Sequence, residues 1–166
     1  MSIESVREYF RKHHMETRIL ELETSSATVP LAAKALGCEE NRIAKTLSFY
    51  SEDGCILIVT AGDSKIDNAK FKAQFHHKAR MLTPEDALLL TGHAVGGVCP
   101  FATGPEAEIY LDESLKRFST VFPACGSSNS AIELTIPELE HYSCAKGFVD
   151  VCKGWRETST ESKKEN

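Results

Sequence analysis

Three stretches of this sequence carry residue types that could do chemistry together. The first is Ile43-Ala44-Lys45-Thr46-Leu47, a lysine set among apolar and β-forming neighbours; the others are the loops Val95-Gly96-Gly97-Val98-Cys99-Pro100-Phe101 and Gly126-Ser127-Ser128-Asn129. A cation at the start of an apolar strand can anchor a polar or anionic group, whereas use as a general base would require a large drop in its pKa. Glycine-rich loops let backbone N–H groups approach a ligand closely. The same residues have ordinary readings. Glycine pairs make turns, Ser-Ser-Asn is common turn composition, and a lysine beginning a strand often faces solvent. On the residues alone both readings stay open.

Other chemistries find less support. The closest His and Cys pairing, His141 with Cys144, has no second pair at zinc-site spacing, so no metal is expected. A cysteine nucleophile needs a neighbouring histidine and an orienting carboxylate, and spacing does not place His93 or His141 beside Cys99. No Gly-x-Ser-x-Gly elbow, phosphate-binding loop or dinucleotide fingerprint occurs. No cofactor is expected.

With 166 residues, 42% hydrophobic and 26% charged, the chain can bury the core of one domain. Its net charge of −5 argues against gripping nucleic acid, DNA above all, through overall charge, though a local basic patch is compatible with it. The six cysteines are scattered among apolar neighbours and read as reduced thiols, which suits a cytoplasmic protein. Charges interrupt residues 1–15, so no secretory leader is expected there. The longest apolar runs fall short of the roughly 20 residues that cross a bilayer, and no membrane association is expected.

The elements around these stretches follow from periodicity and punctuation. Ile3, Val6, Tyr9 and Phe10 recur at helical spacing over Ser2 to His14, with Ser2 as N-cap. Thr17 to Leu22 reads as a strand, and Thr28-Val29-Pro30 opens a helix that stops at Gly37. Ile43 to Tyr50 and Cys55 to Thr60 flank Ser-Glu-Asp-Gly and read as a hairpin with Lys45 early in its first strand. Short helices are predicted over Asn68 to Gln74, from Thr83-Pro84 to Gly92, and from Ile136-Pro137. Ile109 to Leu111, Thr120 to Pro123 and Ala131 to Thr135 read as short strands. Uneven interleaving excludes a regular βαβ series and predicts an α+β fold, a mixed, curled sheet or partial barrel with flanking short helices. Residues 1–155 form a single domain on this reading, and residues 156–166 a polar, disordered tail.

Taken in order, Ile43-Ala44-Lys45-Thr46-Leu47, the Val95 to Phe101 loop, Tyr110-Leu111-Asp112-Glu113-Ser114-Leu115, and Gly126-Ser127 with Ile132-Glu133-Leu134 resemble the landmarks of the YbaK/prolyl-tRNA synthetase-associated editing family, across roughly residues 15 to 140. Each motif alone is common; four in register are specific. The resemblance implies a mixed, barrel-like sheet with flanking helices and hydrolysis of the wrong amino acid from tRNA, a small one on tRNA for proline. It implies mischarged tRNA, bound at its acceptor end, as partner, with an aminoacyl-tRNA synthetase as a further one. Lys45, Gly97 and Gly126 then take the catalytic positions, and Thr46, Gly96, Cys99, Pro100, Ser127, Ser128 and Asn129 the substrate-binding ones. Asp112 matches a family aspartate read as structural. Cys99, Ser128 and Asn129 depart from the common pattern, which leaves the choice of amino acid open.

An aminoacyl ester is activated, so oriented water and charge stabilisation suffice without a protein nucleophile. Backbone N–H groups near Gly97 and Gly126 are expected to hold the ester carbonyl, with Lys45, titrating near its unperturbed value of about 10.4, as a charged anchor. A valine at Gly97 is expected to impair activity far more than folding. The alternative is a catalytically silent tRNA- or synthetase-binding module of the same fold. A thiol redox protein, resting on six cysteines without a Cys-x-x-Cys pair, is a weaker third.

Overall fold

In the computed structural model, which describes residues 2–156, the chain forms an α+β fold around a curled, six-stranded sheet. The strands are β1 (Ile19–Glu21), β2 (Ile43–Tyr50), β3 (Cys55–Ala61), β4 (Lys65–Ile66), β5 (Ala107–Asp112), β6 (Thr120–Pro123), β7 (Ser130–Ile132), β8 (Leu134–Thr135), β9 (Phe148–Val149) and β10 (Cys152–Lys153). The main sheet has the order β8-β6-β2-β3-β5-β9, and two small sheets pair β1 with β7 and β4 with β10. The helices are α1 (Ser2–Arg11), α2 (Val29–Leu36), α3 (Asn68–Phe75), α4 (Pro84–Thr91) and α5 (Ile136–Ser143).

Strand β3, Cys-Ile-Leu-Ile-Val-Thr-Ala, is buried at every position. Such a run suits a central strand covered on both faces. It pairs antiparallel with β2 from Tyr50↔Cys55 to Ala44↔Ala61 and parallel with β5 from Cys55↔Ala107 to Val59↔Leu111. One face packs Val59 and Ala61 against Phe10 of α1, Phe101, Leu111 and Leu139. The other packs Ile56 and Ile58 against Phe71 of α3, Val151 and Trp155. Side chains alternate along a strand, so the hairpin feeds two separate cores.

The helix boundaries have local causes. Thr28, Thr83 and Thr135 accept backbone N–H bonds as N-caps of α2, α4 and α5, each with proline in the first turn, and Thr135 with Glu138 completes a capping box. Gly37 and Gly92 close α2 and α4 in the left-handed region. Helix α1 ends at Arg11, earlier than the pattern to His14 predicts; His14 takes a positive φ of 59° as the chain leaves the helix. The N-cap reading of Ser2 concerns a side chain outside those described. The predicted strand over Thr17 to Leu22 begins only at Ile19, because residues 16–18 wind into a 3-10 turn closed by Arg18 N–H to Met15 carbonyl (3.0 Å). The predicted strand over Ala131 to Thr135 is two strands: β7 pairs with β1 and β8 with β6, and Glu133 between them marks the change of neighbour. Of the predicted tail, Arg156 is described and pairs with Asp150 at 3.0 Å, and the remainder lies outside the described residues.

Asp112, at the end of β5, is fully buried. Its carboxylate accepts the Ser114 N–H (2.9 Å) and the Val151 N–H (3.0 Å), tying β5 to the chain after β9. Truncation would leave two buried donors unsatisfied. Asp112→Ala is expected to lower the unfolding free energy by about 2–5 kcal/mol. Urea denaturation measures this, and a change below about 1 kcal/mol would contradict the tie.

Candidate active site

The site begins with an interruption in the sheet. Strand β2 pairs with β3 over seven residues, but its other edge meets β6 only at Ile43↔Phe122 and Ala44↔Pro123. The next neighbour on that edge is the isolated bridge Phe49↔Met81, flanked by Leu82 N–H to Ser48 carbonyl (3.1 Å) and Tyr50 N–H to Arg80 carbonyl (2.9 Å). On that edge Lys45 to Leu47 therefore has no strand beside it among the described residues. Ser48 and Tyr50 direct their bonds outward, so by alternation Thr46 directs its N–H and carbonyl to the same open edge. The Thr46 hydroxyl is buried without a hydrogen-bond partner. A buried polar group without a partner is uncommon and calls for an explanation, which a ligand at this edge would supply.

A cavity of about 480 Å³ lies against this edge, within the range of small-molecule sites. Ala44 to Ser48 line one side. Gly96 with Val95 and Val98, Ser26 to Val29, Met81 with Leu82, and Ser130 with Ala131 line the others. Among the described residues, Lys45 is the one charged residue in the lining.

The two glycine loops meet directly. A Cβ placed on Gly97 would stand 2.8 Å from the Gly126 carbonyl carbon and from the backbone of Ser127, so only glycine allows this approach. Gly96 (φ 95°) and Gly126 (φ 93°) both use the left-handed region. Gly96 lines the cavity, whereas Gly97 is buried behind it and its N–H donates to the Ala94 carbonyl at 3.0 Å. That N–H is occupied, so a carbonyl-holding donor must come from another residue.

The remaining loop residues support rather than line the cavity. Cys99 and Pro100 are buried, and burial pushes the Cys99 thiol up to about 12, which leaves it protonated and inert. His93, fully buried, holds Nε2 2.7 Å from the Phe101 carbonyl and 3.5 Å from Cys99 Sγ, closing the loop at its base. Burial lowers the His93 pKa, so the ring is neutral. In the second loop, Ser127 Oγ bonds Ser130 Oγ (2.7 Å), the Ser128 carbonyl accepts from Ser26, and Asn129 exchanges bonds with the Leu22 backbone. These contacts hang the Ser26–Val29 lip over the cavity.

Lys45 comes from the other face of β2. It shares that face with Leu47 and Phe49, opposite Thr60, and its ammonium donates to the Ser64 carbonyl. Desolvation lowers its pKa from the ordinary lysine value, opposed in part by the nearby Asp63 carboxylate, so the unperturbed titration read from the sequence is corrected. Lys45 thus lines the cavity at the open edge while its ammonium is held by the Ser64 carbonyl. Sequence reasoning missed the lip at Ser26–Val29, the wall at Met81–Leu82 and the pin at His93. Their signals were weak, because an exposed Met81 and a serine-rich link are ordinary until the sheet edge they cover is known.

Residues 23–142 match the aminoacyl-tRNA editing domain family. The chain is 57% identical over 156 residues to the uncharacterized protein YwhH of Bacillus subtilis (strain 168), covering 93% of this chain and 99% of that protein. It is 27% identical over 111 residues to the proline–tRNA ligase of Thermotoga maritima, covering 66% of this chain and only 19% of the ligase. A solved structure described as a candidate trans-editing enzyme for prolyl tRNA synthetase superposes with a TM-score of 0.83 at 30% identity, covering 92% of this chain and 98% of that one. The chain belongs to the aminoacyl-tRNA editing domain family.

Proposed function

We propose that this protein hydrolyses the ester of mischarged aminoacyl-tRNA, removing a small amino acid from tRNA for proline. The observation that carries the reading is the cavity itself: it meets an unpaired strand edge, is walled largely by apolar residues, and holds one cation and no carboxylate. The Thr46 N–H, which strand alternation directs to the open edge, is the donor that would hold the ester carbonyl oxygen, and the Thr46 hydroxyl would complete the contact. Lys45, swinging from the Ser64 carbonyl, would anchor the polar groups of the terminal nucleotide. Water adds to the carbonyl carbon, the bond from that carbon to the ribose oxygen breaks, and the ribose oxygen takes the proton. The products are a free amino acid and a tRNA with its terminal hydroxyl restored. The names of the relatives support this reading: part of the chain is similar to a proline–tRNA ligase, and most of it to a protein described as a trans-editing candidate for prolyl tRNA synthetase.

Lys45→Ala is expected to reduce kcat/KM by about a hundredfold or more, because loss of an anchor misplaces the reacting ester. The assay is release of free amino acid from mischarged tRNA, with thermal melting to establish folding. Unchanged turnover would remove Lys45 from the site, and no release by the wild type would favour the silent binding module.

The lowered Lys45 pKa adds a pH signature. The charged form persists below the folded pKa and is lost above it, so the enzyme-dependent rate should begin to fall at a pH below 10.5, the ordinary lysine value. Lys45→Arg should move that limb upward if it retains activity, since guanidinium stays charged. An identical alkaline limb in both proteins would show that another group sets it.

Gly97 revises an expectation. Any side chain there must push the two loops apart, so Gly97→Val costs folding as well as activity. Even Gly97→Ala is expected to lose about 1–3 kcal/mol of stability together with most turnover. Wild-type stability in Gly97→Ala would show that the loops do not meet as described.

A further inference from the structure

A second concavity, of about 710 Å³, lies beyond the first along β2. One wall is cationic. Residues 68–82 contain no Asp or Glu in a chain whose net charge is −5; of their basic residues His76, His77, Lys78 and Arg80 line the groove, Lys72 lies outside its lining, and Lys70 is paired with Asp150 at 3.3 Å. Lys72, His76, Lys78 and Arg80 are exposed. Tyr50 and Phe75 are partly exposed in the lining, and the Arg80 guanidinium lies 4.4 Å over the Tyr50 ring. The facing wall carries Glu52, Asp53 and Glu108, the last paired with Lys146 at 3.2 Å.

This groove shares a rim with the candidate active site. Arg80 borders the groove, Met81 and Leu82 border the cavity, and the same short segment bonds to Ser48 and Tyr50 of β2. From Thr46 to Tyr50 an extended strand covers about 14 Å. A flexible chain whose end sits in the cavity reaches the groove within a few nucleotides.

Aromatic faces, the Arg80 guanidinium plane and the Lys78 ammonium along one wall suit an unpaired nucleic-acid strand, whose bases stack and whose phosphates follow the cations. The carboxylates disfavour a bare polyanion, but they accept hydrogen bonds from base amino groups such as cytosine N4. The geometry points to this groove as the track for the single-stranded 3′ end of the RNA whose terminal ester enters the cavity. The inference rests on the hydrolase reading for its occupant and adds where that strand runs.

The test measures binding of the full chain to a short oligoribonucleotide ending in cytosine-cytosine-adenine, with oligouridine of equal length as control, across a salt series. The variant K78E/R80E is expected to bind about tenfold more weakly and with a shallower salt dependence. E52Q/D53N is expected to narrow the preference for the cytosine-containing strand. Hydrolysis of a small aminoacyl ester of adenosine, which does not reach the groove, should stay at the wild-type rate in both variants. If K78E/R80E melts early, K78E alone gives the same test at a lining position without a described ring contact. Binding within twofold of wild type in the charge-reversed protein overturns the groove. A wild type that releases no amino acid, combined with lost binding in K78E/R80E, overturns the hydrolase reading and leaves the groove standing.

Discussion

Burial of β3 on both faces governs the rest of this molecule. A strand that exposes neither face needs a neighbour on each edge and a core above and below, and the hairpin with β2, the parallel pairing with β5 and the two cores supply these. The irregularity is thereby displaced outward to β2. Its inner edge is fixed by seven pairs with β3, while its outer edge is shared between β6 and the segment around Met81, which leave a gap at Lys45 to Leu47. Open strand edges invite pairing and are usually covered or blunted. Here the glycine loops and the Ser26–Val29 lip surround the gap without filling it, and a cavity results.

That arrangement separates two roles the motifs share. Gly97, Cys99, Pro100 and Gly126 are placed by packing: the loops abut, the thiol is buried, and His93 closes the base. Gly96, Thr46 and Lys45 border the space itself. The chain corresponds to about a fifth of the Thermotoga maritima ligase, so whatever else that protein uses to hold tRNA lies outside the shared region. Within this acidic chain, residues 70–80 carry four Lys or Arg and no Asp or Glu.

Much of this was legible in the sequence. Proline-capped helix starts, the Ser-Glu-Asp-Gly hairpin and the continuous apolar run of β3 are local signals, and the structure follows them at α2, α4, α5, β2 and β3. The two-residue strands β4, β9 and β10 were not visible, because so short a strand exists only through its partner. The site was legible as motifs but not as geometry. Nothing local tells that β2 loses its neighbour after Ala44, that Lys45 rests on Ser64, or that the Gly97 N–H is already bonded. These are consequences of long-range pairing.

The central claim is that the aminoacyl end of tRNA occupies the cavity on the open edge of β2. Amide-resolved NMR titration with a non-hydrolysable, amide-linked aminoacyl-adenosine tests it most directly. The account predicts saturable shifts concentrated at Thr46, Gly96, Val98 and Ala131, with the Thr46 amide moving as it gains a partner. Saturable shifts that leave Thr46 and Gly96 unmoved and gather at another surface would contradict it.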